Sequence, residues 1–201
     1  MMNRDELLKS IAELGYNVGF GAKKHFATYD IVEKVPGIIG FFSMAFGIFA
    51  LVFDVLSTKV LSASFLVLGL VSIYIAMYQQ EKEAYREKGE ALTCMFYELR
   101  DLYALVKSGT SSDVEAQYDE LRRIRKEYLG CCIAKQVCFS DWYAHYKFFW
   151  QHQIEWIDEQ KKFNLLRDKI PFTFYIFLLF IFIFALLFFW KVEVILIWHL
   201  R

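Results

Sequence analysis

The chain has 201 residues, of which 57% are hydrophobic, and its mean hydropathy is +0.30. A composition this apolar is typical of a membrane protein and excludes a disordered, highly charged chain. The 23 basic and 23 acidic side chains balance, so the chain lacks the overall basic charge that favours nucleic-acid binding. The length fits a single domain.

Residues 1–35 are predicted to form a cytosolic, amphipathic N-terminal segment. Apolar residues recur at helical spacing between Leu7 and Val18, with charged residues between them. Three glycines, at positions 15, 19 and 21, predict a break in this helix. Lysines gather just before residue 36, as the positive-inside rule expects on the cytoplasmic side of a membrane.

Two long uncharged runs then follow each other, at 36–53 and 60–78. A helix needs about 20 mostly apolar residues to cross a bilayer core of roughly 30 Å, and both runs are close to that length. The link between them allows only a tight antiparallel return. We therefore predict a transmembrane hairpin over 36–78, with helices at 36–56 and 60–78, rather than a buried hairpin in a soluble bundle.

Small side chains recur every three or four residues along one side of each predicted span. Such residues let helix backbones approach closely in lipid, where no hydrophobic force drives helices together. Two interpretations stay open: close packing within the hairpin, or a seam between copies of the chain that lines a pore. The positions are Gly40, Ser43, Gly47, Ala50 and Asp54 in the first span and Ser62, Gly69, Ser72 and Ala76 in the second.

Asp54 is the one ionisable side chain at this depth of the hairpin. A carboxylate inside a membrane is costly and points to a functional site such as a pore mouth. It lies at the end of the first run, close to Lys59. Pairing with that lysine, or contact with lipid headgroups, is the alternative interpretation.

Residues 79–169 are predicted to form a cytosolic body of long helices. Charged residues are dense here, and apolar residues recur at helical spacing, so the second span is expected to run straight on into the cytosol. The sequence SGTSSD at 108–113 predicts a turn. As one helix, 114–169 would be roughly 80 Å long, far longer than the helix before it. We therefore expect a break at Gly130–Cys132, which separates 114–129 from 131–169.

A third apolar run predicts a third transmembrane helix at 170–190, followed by an extracytoplasmic tail at 191–201. Phenylalanine and leucine dominate the run, and Ala185 is its single small residue. Such a helix presents bulk to lipid and is expected outside the seam of small residues. The fold class predicted from these features is an all-α membrane protein, with a hairpin, long cytosolic helices and a C-terminal third span.

The stretch 140–163 carries large aromatic residues at heptad spacing. A packing seam is one interpretation, because aromatic residues at helical spacing usually form a core. A surface on which a ligand or partner stacks is another. The residues of this possible surface are Trp142, His145, Tyr146, Phe149 and Trp156.

The chain shows no set of nucleophile, base and orienting residue, so no enzyme is expected and no catalytic residue is assigned. His25 fits an interfacial, hydrogen-bonded role better than catalysis. Cys138, Asp141, His145 and His152 could share a helix face as metal ligands, but they match no zinc-finger spacing. We predict neither a metal nor a cofactor.

The order of these features resembles the SLATT family, bacterial membrane effectors found beside nucleotide-signalling and reverse-transcriptase systems of anti-phage defence. The resemblance rests on the cluster AKKHFATYD, on Lys34-Val35-Pro36, on the two spans, and on the charged helix and long return segment. Members usually carry two spans, so the third departs from the simplest pattern.

The resemblance implies an oligomeric effector that permeabilises the bacterial inner membrane when triggered by a partner or nucleotide signal. Its N-terminus and helical body would lie in the cytoplasm. The implied partners are the lipid bilayer, further copies of the chain, and a separately encoded nucleotide-signalling enzyme or reverse transcriptase, with no direct nucleic-acid binding. The alternative is a membrane-anchored scaffold that recruits a cytosolic enzyme.

Overall fold

A computed structural model describes residues 3–53, 58–109 and 114–199, with 187–199 described by backbone alone. The described residues form helices and contain no strand, so the predicted all-α class is confirmed. The chain divides into two compact units, Met1–Lys162 and Phe163–Arg201. The α-helices of the described residues are α1 (Arg4–Val52), α2 (Lys59–Ala76), α3 (Lys82–Ser108), α4 (Val114–Cys131), α5 (Ser140–Gln151), α6 (Glu155–Lys161) and α7 (Phe172–His199).

Helix α1 is a continuous helix of 49 residues that joins the N-terminal segment to the first predicted span. At 1.5 Å per residue it is about 74 Å long. The predicted break at the three glycines is wrong, because α1 continues through them. A Cβ atom at Gly15 would lie 2.2 Å from the indole of Trp156, and one at Gly19 would lie 2.7 Å from the ring of Phe96. These glycines therefore serve close packing.

The unit Met1–Lys162 is built around the N-terminal part of α1. Helices α3, α5 and α6 pack against it, and α4 packs mainly on α3. All the buried side chains of α1 lie between Leu7 and Val32. Beyond Val32 the helix becomes apolar but exposed, so that Leu51 is 88% exposed. The N-terminal part of α1 is thus buried in the core, whereas its C-terminal part presents an exposed apolar surface.

The end of α1 and the whole of α2 form the hairpin. The two helices pack against each other, and the rings of Phe46 and Phe65 lie 5.3 Å apart. Large apolar side chains cover the outside; Leu66, for example, is 74% exposed. In the described residues, α1 and α2 are the two helices long and apolar enough to cross a membrane. An apolar surface of this extent requires lipid or a partner.

The sequence predicted that the second span runs straight on into the next helix, and this prediction is wrong. Helix α2 ends at Ala76, and a short 3-10 turn at Gln79–Glu81 separates it from α3. The turn interrupts the helix where the apolar run ends. Helix α3 can then lay an apolar stripe along α1, with Leu92, Phe96 and Leu99 buried.

The return segment breaks where the sequence predicted and then breaks again. Helix α4 ends at Cys131, which confirms the first break, and residues 132–139 are not helical. The prediction of one helix over 131–169 is wrong, because the chain is extended at His152. Phe148 and Ile157 are both fully buried. Nine residues apart on a straight helix, they would point in opposite directions, so the second break lets both reach the core.

The unit Phe163–Arg201 contains α7, which covers the predicted third span. The Tyr175 hydroxyl donates to the Leu166 carbonyl at 2.9 Å and ties the start of α7 to the preceding turn. Helix α7 continues to His199, through most of the predicted tail at 191–201. The part with described side chains, Phe172–Leu186, is apolar but shorter than a full span. A third crossing over 170–190 therefore stays a prediction.

Replacing Gly15 by alanine tests the close packing of α1. The new methyl group would collide with the Trp156 indole, and we expect the free energy of unfolding of the helical body to fall by about 1–3 kcal/mol. Gly21→Ala is the matched control, because its Cβ would meet Leu92 at an ordinary 3.6 Å. It should be neutral or stabilising by up to about 1 kcal/mol. Equal effects of the two changes on the denaturation midpoint, measured by circular dichroism, would contradict this packing.

The titration of His152 tests the aromatic core. Burial, followed by the nearby charges of Lys23 and Arg100, lowers the pKa of His152 to about 4. Its ring packs 4.6 Å from that of Phe96. In the unfolded chain a histidine titrates near pH 6.5. The stability that neutral His152 contributes is therefore present above about pH 6.5 and is lost as the pH falls towards 4.

We expect the His152 resonance to remain that of neutral imidazole at pH 5.5 in an NMR titration of histidine-labelled protein. We also expect His152→Gln to reduce the loss of thermal stability between pH 6.5 and 4.5. A His152 midpoint at or above 6.5 would show that its ring is open to water.

Candidate functional site

The small residues of the hairpin differ in how far they are exposed. The inner face is marked by Phe46 and Phe65, whose rings meet between α1 and α2. Four small residues that lie three, four or seven positions away from these two rings are half-buried. They are Ser43, Ala50, Gly69 and Ser72.

Gly40 and Gly47, seven residues apart on α1, adjoin this inner face, three or four positions from Ser43. Both glycines are exposed, and a Cβ atom built on either would meet no described atom within 4 Å. Packing within the hairpin therefore does not account for them. On α2, Ser62 and Ala76 are likewise exposed. Asp54, the remaining predicted seam residue, lies outside the described residues.

The base of the hairpin, where the two apolar runs meet the helical body, contacts the loop 132–139, which joins α4 to α5. Val137 of this loop is 3% exposed and belongs to a buried apolar cluster. The other buried members come from α1, from the end of α2 and from the first turns that follow it. They are Val32, Ile75, Tyr78 and Tyr85.

His25 anchors the loop to α1. Its Nε2 accepts a hydrogen bond from the Ile133 N–H at 3.1 Å, and its Nδ1 lies 2.7 Å from the Gly21 carbonyl oxygen. Because the carbonyl can only accept, Nδ1 carries the proton and the ring is neutral. Burial lowers the pKa of His25, assisted by the charges of Lys24 and Lys88 and opposed by the Gly21 hydrogen bond. Both ring nitrogens are engaged, so His25 has a structural role here.

Three tyrosines hold the loop from the side of α2 and α3. The Tyr85 hydroxyl donates to the Lys135 carbonyl at 2.7 Å, and the Cys138 N–H donates to the Tyr74 hydroxyl oxygen at 3.2 Å. The Lys135 ammonium lies 4.6 Å from the centre of the Tyr78 ring. Sequence reasoning missed these tyrosines. Their spacing of four and seven residues at the end of an apolar run was the available signal, but nothing in the sequence pointed to the loop they bind.

Charged groups near the base are paired with one another. Although burial opposes it, hydrogen bonds from Lys147 and Lys34 lower the pKa of the Asp30 carboxyl group. The Lys34 ammonium lies 2.6 Å from that carboxylate, and Lys147 reaches it from α5. A further pair joins Lys24 of α1 to Asp141 of α5 at 2.7 Å. These pairs fix α5 against the part of α1 that precedes the membrane segment.

A pocket of about 280 Å³ opens beside the loop, but its polar lining is already engaged. Gln136 accepts from the Thr28 hydroxyl and donates to the Ile133 carbonyl at 2.8 Å. His25 and Lys24, which also line the pocket, have the partners described above. Gln136 and His25, which line this pocket, thus hold the loop in place.

The five residues predicted as a ligand or partner surface do not share one open face. Trp156 lies against Gly15, with its ring 5.5 Å from Phe96 and 5.3 Å from Tyr103. Phe149 is buried as well. The contacts of both residues are those of a packing core.

The other three predicted surface residues lie on α5 alone. The His145 ring lies 4.9 Å from that of Phe20, and burial lowers its pKa. Trp142 is half-buried against Phe139, and Tyr146 is 52% exposed. Of the five predicted surface residues, Trp142 and Tyr146 are the ones with accessible rings.

The residues weighed as metal ligands are not brought together. Across the described ranges, no three His, Cys, Asp or Glu side chains lie close enough to hold a metal ion. His145 and His152 instead pack on aromatic rings.

Comparison with known protein families gives a match over most of the chain. The model of the family described as SMODS and SLOG-associating 2TM effector domain 6, a SLATT family, matches residues 2–178. No curated protein and no solved structure matches the chain. The matched range contains the hairpin, the helical body and the start of α7, and the two apolar helices of the fold agree with a two-span membrane domain. The resemblance seen in the sequence is therefore confirmed, and the chain belongs to the SLATT family of membrane effector domains.

Proposed function

We propose that this SLATT protein is an oligomeric effector that permeabilises the bacterial inner membrane as part of a defence system against phage. The observation that carries the proposal is the exposed position of Gly40 and Gly47. They leave a stripe on α1 where another helix backbone can approach. The membrane effector family to which the chain belongs gives that stripe a functional context.

Association through this stripe follows from packing in lipid. Without a hydrophobic force between helices, close van der Waals contact must supply the attraction, and small residues permit it. Glycines seven residues apart present the same face on successive double turns, as in left-handed helix pairs that cross at about 20°. Copies of the hairpin would meet through Gly40 and Gly47, with the larger side chains facing lipid.

Hydroxyl groups of α2 are compatible with either a lipid-facing or a pore-lining position. The Ser62 hydroxyl donates to the Thr58 carbonyl at 3.1 Å, and the Ser64 hydroxyl donates to the Val60 carbonyl at 2.9 Å. A hydroxyl that bonds its own helix costs little in lipid and still offers a lone pair to water in a pore. Asp54 would supply negative charge at the distal mouth.

The helical body would control this association from the cytoplasm. A partner or nucleotide that binds it can shift a closed-to-open equilibrium only by its difference in affinity for the two states. A separately encoded nucleotide-signalling enzyme or reverse transcriptase is the partner that fits this family context. The cytoplasmic placement of the body rests on the lysines and arginines that flank the predicted spans.

A second function, a membrane-anchored scaffold, is favoured by the exposed aromatic side of α5. Tyr146 is 52% exposed and Trp150 is 63% exposed, four residues apart on one side of the helix. Large exposed aromatic rings are common at protein interfaces. A cytosolic enzyme could dock there while the spans serve only as an anchor.

Gly47→Leu tests the seam. The leucine would fill the gap into which a second helix must fit, and we expect dye uptake by cells expressing the protein at a high level to fall at least tenfold. High expression is used because mass action then favours assembly. Met44→Leu, on the same exposed part of α1, is the matched control and should leave dye uptake unchanged. Both variants should remain in the membrane fraction.

Two results would contradict the proposal. Dye uptake in Gly47→Leu equal to that of the parent would exclude the seam. An intact barrier in cells expressing the parent, with every candidate signal present, would exclude permeabilisation.

Replacing both spans by an unrelated transmembrane anchor separates the two functions. A scaffold keeps its partner and its protection against phage after the exchange, because only membrane attachment is needed. An effector that permeabilises the membrane loses protection. Plaque counts together with partner pull-down distinguish them.

A further inference from the structure

The loop 132–139 connects to both helices of the hairpin. His25 and Thr28 bind it from α1, while Tyr74 binds it from α2. Tyr85 of α3 adds a third attachment. A single loop therefore ties together the cytosolic ends of the two membrane segments.

The buried cluster around Val137 lies where the hairpin leaves its apolar segment. Val32 comes four residues before Pro36, and Ile75 and Tyr78 end the second apolar run. Val137 fills the space between them with an apolar side chain that water does not reach. Withdrawal of the loop would expose this apolar space and break the hydrogen bonds that the Tyr74 and Tyr85 hydroxyls make with the loop backbone.

Higher in the hairpin the two helices share fewer specific contacts. The ring pair of Phe46 and Phe65 lies between them, and the half-buried Gly69 has no described atom within 4 Å of where its Cβ would be. The spacing of the helices is therefore determined more strongly at the base than along the spans.

We infer that the loop 132–139 is a clamp that holds the cytosolic ends of the two spans at a fixed separation, and that its release is the step that permits the membrane segments to open. The inference deepens the proposed function and rests on it, because it names the regulation of the same hairpin. Whether the clamp is held or released depends on the positions of α4 and α5, the helices that flank the loop.

The adjoining helices can transmit a signal to the clamp. Helix α4 ends at Cys131, directly before the loop, and helix α5 begins at Ser140, directly after it. Helix α4 packs mainly on α3 and lies at the edge of the body. An exposed ion pair between Arg123 and Glu98, 2.5 Å long, spans the α3–α4 contact. A partner that draws α4 or α5 away from the body would pull the loop from between the spans.

Tyr85→Phe and Tyr74→Phe test the clamp with little change in packing. Each change removes one hydroxyl that binds the loop and keeps the ring in place. Tyr103→Phe is the matched control, because Tyr103 is also buried on α3 and its hydroxyl bonds Glu159 and Gln160 of the helical body instead of the loop. Hydrogen exchange of the full chain in nanodiscs and dye uptake by expressing cells are the two measurements.

We expect amide exchange in 132–139 and 77–85 to become about fivefold faster in Tyr85→Phe, and faster still in the double variant, because each hydroxyl contributes one hydrogen bond. Dye uptake at low expression should rise above that of the parent. Tyr103→Phe should change neither quantity in these segments.

Unchanged exchange in both segments, or an equal change in Tyr103→Phe, would overturn the clamp. So would faster exchange without higher dye uptake when the parent does admit dye at high expression. If neither the parent nor any variant admits dye at any expression level, the proposed permeabilisation fails. The exchange result then decides whether the loop restrains the hairpin.

Discussion

The structure depends on the continuity of α1. One helix supplies the centre of the helical body and the first membrane segment, and it continues through Pro36 between the two. The helix stays regular at Gly15 and Gly19, because these glycines let the rings of Trp156 and Phe96 approach its backbone without distorting it. A larger residue at either position would force α6 or α3 away. Close packing on a smooth stretch of helix is thus the condition for the rest of the fold.

This continuity applies to the first span and not to the second. Helix α1 continues into the first span as helix, although Pro36 removes one of its backbone hydrogen bonds, whereas a 3-10 turn at Gln79–Glu81 separates the second span from α3. The two spans are therefore attached differently: α1 continues directly from the body, and α2 is attached to it through a turn and through the loop 132–139.

The sequence predicted the parts of the fold that composition alone determines. Uncharged runs near 18 residues indicated the hairpin, because few other structures accommodate them. The break after α4 could be predicted because a single helix over 114–169 would be far longer than the helix before it. The prediction of a break at the glycines failed because a glycine in a helix signals either flexibility or close approach, and only the neighbour decides between them. Trp156 lies 141 positions from Gly15, and nothing local connects them.

The aromatic heptad shows the same limit. Its spacing correctly indicated a packing role for Phe149 and Trp156, but it assumed a single helix through His152. The bend there arises because Phe148 and Ile157 must both be buried, a requirement of the tertiary structure. Nothing in the sequence indicated the role of the loop 132–139, because His25, Tyr74 and Tyr85 bind mainly its backbone groups. A backbone group is present at every residue, so such a contact requires no particular side chain in the loop.

The distribution of contacts explains why the base of the hairpin, more than its length, should govern the spans. In a bilayer, helices gain nothing from burying apolar surface against each other, so the Phe46–Phe65 contact competes with equally apolar lipid. At the base, water is excluded from the Val137 cluster, and the hydrophobic effect acts fully. The side chains of Tyr85 and His25 are also buried, so that a hydrogen bond lost by either one would be costly. A few buried contacts at the water boundary therefore outweigh a longer interface within lipid.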